Sequence, residues 1–540
     1  METHEEFSEN QKAILDKFVT NTDKNIFVLR NLPEVIKGAL FSRYSRSYLG
    51  LRELLLKEFI ENENTSFQEI VGKTDGTSLD EQVLAIQKAQ KFYDRILDGF
   101  GDDSIGELGG AHLALEKVSI LAAKVVEDCR IGGSPLEKST RYIYFDKKIN
   151  DKYQFYQEPV LMTSAFRSLY NDTCNLLFDT YSKLISPLME KVEKSIPREE
   201  HISKTAYTTA LRAKVLDCLR GLLPASTFTN LGIFGNGRFF ENLIRRLSTN
   251  NLAELQEIGK ETFNELSKVI PSFIRRTDPS SKYQQGYTHF MDQMKTDIKL
   301  MSEIHASRVV GEKDIGVALI GYDPEVIPKV AGAILFENSK ASLFGLQEYC
   351  RTLPEEEVAR ILDAAALARE SRRHKSPRAL EHATFTFEIV ADFGVYRDLQ
   401  RHRILTQEKQ NLTCDYGYYL PNEIIDTEME KQYIHAMESA KKAYDTIAEQ
   451  LPEEAQYVVP MAYNLRWYFH VNLRTLQWLC ELRSSPAGHP TYRLIAQEMA
   501  HQICEVFPQF ERFFKFVDFE GYELGRMGQE IRRIEKLQKG

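Results

Sequence analysis

Three groups of residues occur twice along this chain, in the same order each time. Leu40-Phe41, Ser47 and Gly50-Leu51 return 295 positions later as Leu335-Phe336, Ser342 and Gly345-Leu346, with Pro-Glu-Val-Ile upstream at 33 to 36 and again at 324 to 327. Ser104, Leu108, Ala111 and Glu116 return 272 positions on as Ser376, Leu380, Ala383 and Glu388. Leu223-Pro224 and Asn236-Gly-Arg238 return 236 positions on as Val459-Pro460 and Asn472-Leu-Arg474. Self-similarity of this kind fixes the architecture before any local propensity is weighed. It predicts two homologous domains, 25–285 and 313–540, joined by a polar, Met-containing helical linker over 286–312 and preceded by an amphipathic extension over 1–24.

A chain of 540 residues is too long for a single core, which agrees with two domains. With 69 basic and 78 acidic residues, the net charge of -9 lacks the basic excess of a general nucleic-acid binder. Arginine pairs such as Arg245-Arg246 and Arg532-Arg533 are therefore weak grounds for RNA binding. The 7 cysteines are odd in number, widely spaced and without a CxxC pair, so neither a disulfide framework nor a zinc site is expected. Reduced cytoplasm is the compartment they fit. The N-terminus is acidic and amphipathic, and no apolar run approaches the length of a membrane span, so the chain is expected to be neither exported nor membrane-spanning.

Each domain interleaves a few strands with many helices. Val317 to Ile320 and the alternating Thr384, Phe385, Thr386, Phe387, Glu388 predict strands. Val395 to His402 predicts a short helix carrying Arg401 and Arg403 to its C-terminal end. Pro-Glu-Glu-Glu at 354 to 357 opens a helix over Val358 to Glu370, with proline at the tolerated first turn and acids at the positive pole. The expected class is α+β, two tandem domains that each hold a mixed sheet with several long helices.

Arg401, His402 and Arg403 cannot be core residues unless an anion meets them, because unpaired buried charge is costly. A solvated helix end is the bland alternative. Glu137, Ser139 and Arg141 stand at alternate positions and point one way if their loop is extended. Together they could grip one ligand: a guanidinium fork for phosphate or a carbonyl edge, a hydroxyl donor, and a carboxylate acceptor. A surface salt-bridge ladder is the bland reading of the same loop, and a buried, satisfied histidine that of His382.

These residues resemble the flavin-dependent thymidylate synthases of the ThyX type, whose signature is Arg-His-Arg, seven residues, then Ser. The second domain keeps Ser376-Pro-Arg-Ala-Leu-Glu-His382 and Arg401, His402, Arg403, but has Asn411 in place of the Ser, Lys409 for the family's Glu and Thr413 for its Arg. The first domain reads Cys129, Arg130, Ile131 at the tripeptide yet keeps Glu137, Ser139 and Arg141. The Asn-x-Arg helix is Asn236, Arg238, then Asn242 in the first domain, and Asn472, Arg474, then Trp478 in the second. The arginine closing that helix matches Arg483, where the first domain has Leu247. A further arginine is Arg220 in the first domain and Gln456 in the second.

The resemblance implies reductive methylation of dUMP to dTMP, with methylenetetrahydrofolate as carbon donor and NADPH reducing FAD, and with no nucleophilic cysteine. It implies catalytic roles for Arg483, Ser139 and Arg141, and a nucleotide side of Glu137, Ser139, Arg141, Arg220 and Arg483. The flavin side would be His382, Arg401, His402, Arg403, Asn236, Arg238 and Asn242, with Asn472 and Arg474 as weaker candidates. Because the family assembles its site between subunits, a homodimer of this tandem chain would mimic a tetramer, with complementary residues drawn from the two domains. Whether they meet within one chain or across a dimer is left open by the residues. Methylation of another uridine nucleotide is one rival reading, and a non-catalytic flavin- or nucleotide-binding scaffold is another. Losses that alternate between the copies favour a working site over independent decay.

Overall fold

A computed structural model describes residues 7–62, 67, 106–309, 311 and 314–539. The insertion read at 60–100 lies, apart from its first residues and Phe67, outside the described residues. The chain divides into two compact units that interleave in sequence. One comprises Met1–Glu116, Cys129–Glu137 and Asn230–Val310, and the other Lys117–Asp128, Lys138–Thr229 and Gly311–Gly540. The first sequence repeat thus contributes to both.

The larger unit is built on a four-stranded sheet in the order β4-β5-β7-β6: β4 Gly316–Tyr322, β5 Thr384–Asp392, β6 Thr406–Lys409 and β7 Asn464–Asn472. Every pairing in it is antiparallel, where a mixed sheet was expected. The alternation read in the sequence is the cause of its core: Phe385, Phe387 and Ile389 of β5 and Leu465, Trp467, Phe469 and Val471 of β7 turn one face inward and are buried. The expected helix after Pro354 runs over Glu355–Ala366 and ends short of Glu370, because Arg369 turns in to a buried pair with Glu481.

The smaller unit holds most of a three-stranded sheet in the order β1-β3-β2, with β1 Gly110–Ser119, β2 Gly133–Glu137 and β3 Phe228–Asn236. A helix over Lys282–His305 covers most of the predicted linker, and the N-terminal extension contains a helix over Glu9–Leu15 closed by a Ser8–Gln11 capping box.

The two repeats are alike in their strand ends. Each long strand runs into a helix through a side-chain cap: Ser119 bonds the amide of Ala122, Asp392 that of Val395, Asn236 that of Phe239 and Asn472 that of Thr475. Strand register makes Glu137 and Lys409 equivalent, since Glu137 faces Leu231 and Lys409 faces Trp467, the residue 236 positions beyond Leu231. Inside the larger unit, Pro224 and Pro460 face each other in an antiparallel bridge. The flanking bonds are repeated on both sides: Ile120 N to Thr227 O and Leu121 N to Ala225 O in one repeat, Phe393 N to Tyr463 O and Gly394 N to Met461 O in the other. A local two-fold axis therefore passes between the two prolines.

Candidate active site

Next to that axis, the helix Lys204–Leu219 ends on Arg220, and the helix Phe393–Leu399 presents Asp398 one residue before its end. Arg220 is buried, and its Nη1 donates to Asp398 Oδ2 at 3.2 Å. Burial opposes the charge on Asp398. The guanidinium groups of Arg220, Arg483, Arg401 and Arg141 outweigh it and hold the carboxyl far below the usual range. The Nη2 of Arg220 is buried without an acceptor. Gly394 is required here, because a Cβ at that position would lie 2.8 Å from Asp392 Oδ1 and 3.1 Å from Arg220 Nη2.

The loop from the first repeat enters the same unit. Its backbone turns at Thr140–Tyr142 instead of continuing extended, so Glu137, Ser139 and Arg141 do not form one straight row. The Ser139 hydroxyl accepts from the Arg141 amide at 3.3 Å. Nε and Nη2 of Arg141 donate to the two oxygens of Asp217, and Nη1 reaches Ala487 O at 3.3 Å. Burial works against both charges of this pair, yet each partner stabilises the other, so Asp217 stays ionised and Arg141 stays cationic. Glu137 is buried at the end of β2 and belongs to the smaller unit.

Of the arginine tripeptide, only His402 goes inside. Its Nε2 accepts from Nε of Arg483 at 2.9 Å, which leaves the ring proton on Nδ1. Burial, then the Arg483 charge, lower its pKa well below the ordinary histidine value, so it is neutral. Arg401 and Arg403 are exposed, as a solvated helix end would have them. Arg483, the last residue of the helix Leu473–Arg483, has no acceptor on either Nη among the described residues. His489 completes the cluster, with Nε2 on Asp217 O at 3.1 Å, Nδ1 on Thr491 Oγ1 at 2.8 Å, and a pKa lowered to about 3 by burial and Arg220. Asp392 is pushed up to about 6 by burial.

Two small cavities touch this cluster: one of about 10 Å³ lined by Asp217, Arg220, Asp392 and His489, and one of about 30 Å³ lined by Arg141 and Asp217. Asp392 and Tyr419 also border a much wider cavity of about 830 Å³ between β4, β5 and the helix Pro490–Val506.

The other expected residues are exposed or have partners of their own. His382 is exposed at the end of a short turn, so the buried reading fails for it. Arg474 is committed to Ser376 O at 2.8 Å and Glu381 Oε1 at 2.7 Å. Asn236 and Asn472 spend their side-chain oxygens as helix caps. In the smaller unit Arg238 pairs with Glu107 at 3.2 Å, and Asn242 is exposed. Asp217, Asp392, Asp398 and His489 were not anticipated. Their signal was indirect, for buried arginines demand buried acids.

The chain matches the family described as thymidylate synthase complementing protein over residues 59–272 and 319–509. The chain belongs to that family. Both matched stretches fall on the repeats, so the duplication is one of the family's own unit. A UPF0159 protein of Chlamydia muridarum (strain MoPn / Nigg) is 53% identical over 98% of each chain. A UPF0159 protein of Thermoplasma acidophilum is 32% identical over 93% of this chain and 99% of its own. A flavin-dependent thymidylate synthase of Clostridium tetani is 30% identical over 37% of this chain and 86% of its own, the share expected if a single-copy member aligns with one repeat. Among the described residues no helix is long and apolar enough to cross a membrane, and no cluster suits a metal ion.

Proposed function

We propose that the chain is a flavin-dependent thymidylate synthase, converting dUMP to dTMP by reductive methylation with methylenetetrahydrofolate as carbon donor and FAD and NADPH as the redox system. One observation carries this reading: Arg141, Asp217 and Arg220 of the first repeat meet Asp398, His402 and Arg483 of the second in one buried cluster of a single chain. The donor chemistry suits anionic ligands, since Arg220 keeps a buried Nη2 without acceptor and Arg483 keeps both Nη groups for a ligand.

Bound FAD supplies the electron and hydride chemistry. The chain's own residues orient and polarise. Arg401, Arg403 and His382 would hold the cofactor. His402, neutral with its proton on Nδ1, holds Arg483 through Nε2 and leaves the Nη edge for the pyrimidine carbonyl. Ser139, Arg141 and Arg220 hold the nucleotide. With Asp217 on two of its nitrogens and Ala487 O on the third, Arg141 keeps one Nη1 hydrogen for a ligand. No cysteine takes part, in keeping with Cys414, whose thiol burial raises well above the ordinary value. A cytoplasmic homodimer would carry two such sites and two degenerate counterparts at Cys129, Thr413, Gln456 and Leu247.

An absorption spectrum of the purified protein tests the reading first. Flavin bands are expected, followed by dUMP-dependent reoxidation of the reduced flavin when methylenetetrahydrofolate is present. A colourless protein that takes up no FAD overturns it, and reoxidation by another uridine nucleotide but not dUMP changes the substrate.

A further inference from the structure

The family match ends at residue 509, yet the chain beyond it returns to the cluster. Asp518 is held through its amide by Ser484 Oγ at 2.9 Å and through its carbonyl by Gln497 at 2.7 Å, and Glu520 O accepts from Arg493 at 2.8 Å. Gly525 then presses on the loop that follows Arg483, so closely that a Cβ there would sit 1.9 Å from Pro486 O. Only glycine allows this approach. The helix Met527–Lys539 continues against the first repeat's helix Lys204–Leu219.

This path puts Arg526 into the small cavity beside Arg141. Four cations line it, Arg141, Lys214, Arg493 and Arg526, against the carboxylates of Asp217 and Glu523. Three of the cations are already paired: Arg141 with Asp217, Lys214 with Glu423, and Arg493 with Asp518. Arg526 is the exception. Its guanidinium lies 4.4 Å over the ring of Tyr142, and its Nε and Nη1 are buried without any acceptor. Glu523 is exposed and makes no ion pair among the described residues. A half-buried guanidinium with two buried, orphaned donors beside other cations is a site waiting for an oxyanion.

We infer that Arg526 forms, with Arg141 and Lys214, a binding site for a phosphate monoester, and that the Tyr522–Arg526 segment is part of the nucleotide pocket. The inference deepens the nucleotide reading above and rests on it for the source of the phosphate. At about 30 Å³ the cavity has no room for a nucleoside, which lies outside it.

Calorimetric titration of the full-length protein with inorganic phosphate, dUMP and deoxyuridine tests this. Phosphate and dUMP bind the wild type. Arg526→Gln weakens both by about ten- to a hundredfold, the loss of charge-assisted hydrogen bonds, while deoxyuridine binding is unchanged. Arg526→Lys recovers part of the loss and carries the comparison should the glutamine variant not fold. Loss confined to inorganic phosphate keeps the anion site and assigns it to free phosphate. Equal binding by wild type and Arg526→Gln, or no binding of either anion by the wild type, overturns the inference. The flavin spectrum is read separately, so a colourless protein that still binds phosphate through Arg526 rejects the flavin reading and retains this site.

Discussion

Arg220 and Asp398 meet at 3.2 Å in a buried ion pair, and each comes from a different repeat of the chain. Removing Asp398 leaves Arg220 charged and buried without its hydrogen-bond partner, and removing Arg220 takes from Asp398 the largest of the charges that compensate it. Arg220→Ala or Asp398→Asn is therefore expected to destabilise the fold by about 3–5 kcal/mol. Removing both charges, in Arg220→Gln with Asp398→Asn, costs less than the sum of the single losses, because no orphan remains. Urea denaturation of the four proteins measures the coupling. Strict additivity would show that the two residues are neighbours without being partners.

The outline of this arrangement was legible in the sequence where hydrophobic period and repeat spacing speak. The alternation from Thr384 placed β5, and the 236-residue spacing of Leu223-Pro224 and Val459-Pro460 marked the two segments that pair across the axis. The reading of Lys409 in place of the family's Glu agrees with strand register. What stayed hidden depends on long-range charge. Nothing local in Asp217 or Asp398 tells that each will neutralise an arginine 76 or 178 positions away. The turn at Thr140, which breaks the expected row of Glu137, Ser139 and Arg141, follows from Arg141 being drawn onto Asp217. His402 could be flagged as part of a motif, but only burial and the Arg483 contact make it a neutral acceptor.

That neutral state has a pH signature. A histidine whose folded pKa is depressed binds a proton more readily when the chain unfolds, so its contribution to stability is complete above about pH 6.5 and is lost as pH falls. His402 and His489 both behave this way. Asp392, raised to about 6, works in the opposite sense: it stabilises at low pH and loses that contribution as pH rises through 6. Below about pH 6.5 the wild type should therefore lose stability more steeply than His402→Gln, by up to about 1.4 kcal/mol per pH unit while the native ring stays neutral, since one histidine is worth one proton. Gln can still accept from Arg483, so the fold is retained. Denaturation midpoints at several pH values give the two slopes, and parallel slopes would mean that His402 is protonated in the native state.

Asn236 and Asn472 invite a separate test, because the family resemblance places them near flavin while the structure uses their side-chain oxygens as helix caps. Asn472→Ala should cost about 1 kcal/mol of stability, the usual value of a lost cap, and Asn472→Asp or Asn472→Ser should recover most of it. Asn236→Ala should cost as much. Flavin content per chain separates the two roles: a variant with the capping loss and full flavin is a cap alone, whereas flavin lost in the Ser variant, which keeps the cap, points to direct contact.

The final expectation concerns how the repeats share work. Ser139 and Arg141 come from the first repeat, and His402 and Arg483 from the second, yet all four belong to the same compact unit of one chain. Arg141 bonds the Ala487 carbonyl, four residues after Arg483, without help from another copy. If the site is built inside each chain, Ser139→Ala and Arg401→Ala each abolish dUMP-dependent flavin reoxidation, and mixing the two purified variants restores nothing even after subunits have exchanged. If the halves were supplied across a dimer, exchange would pair an intact first-repeat loop with an intact tripeptide and recover up to about a quarter of the wild-type rate in a random mixture of dimers. Full activity of Ser139→Ala alone would remove the first-repeat loop from catalysis, and with it the division of labour between the two copies.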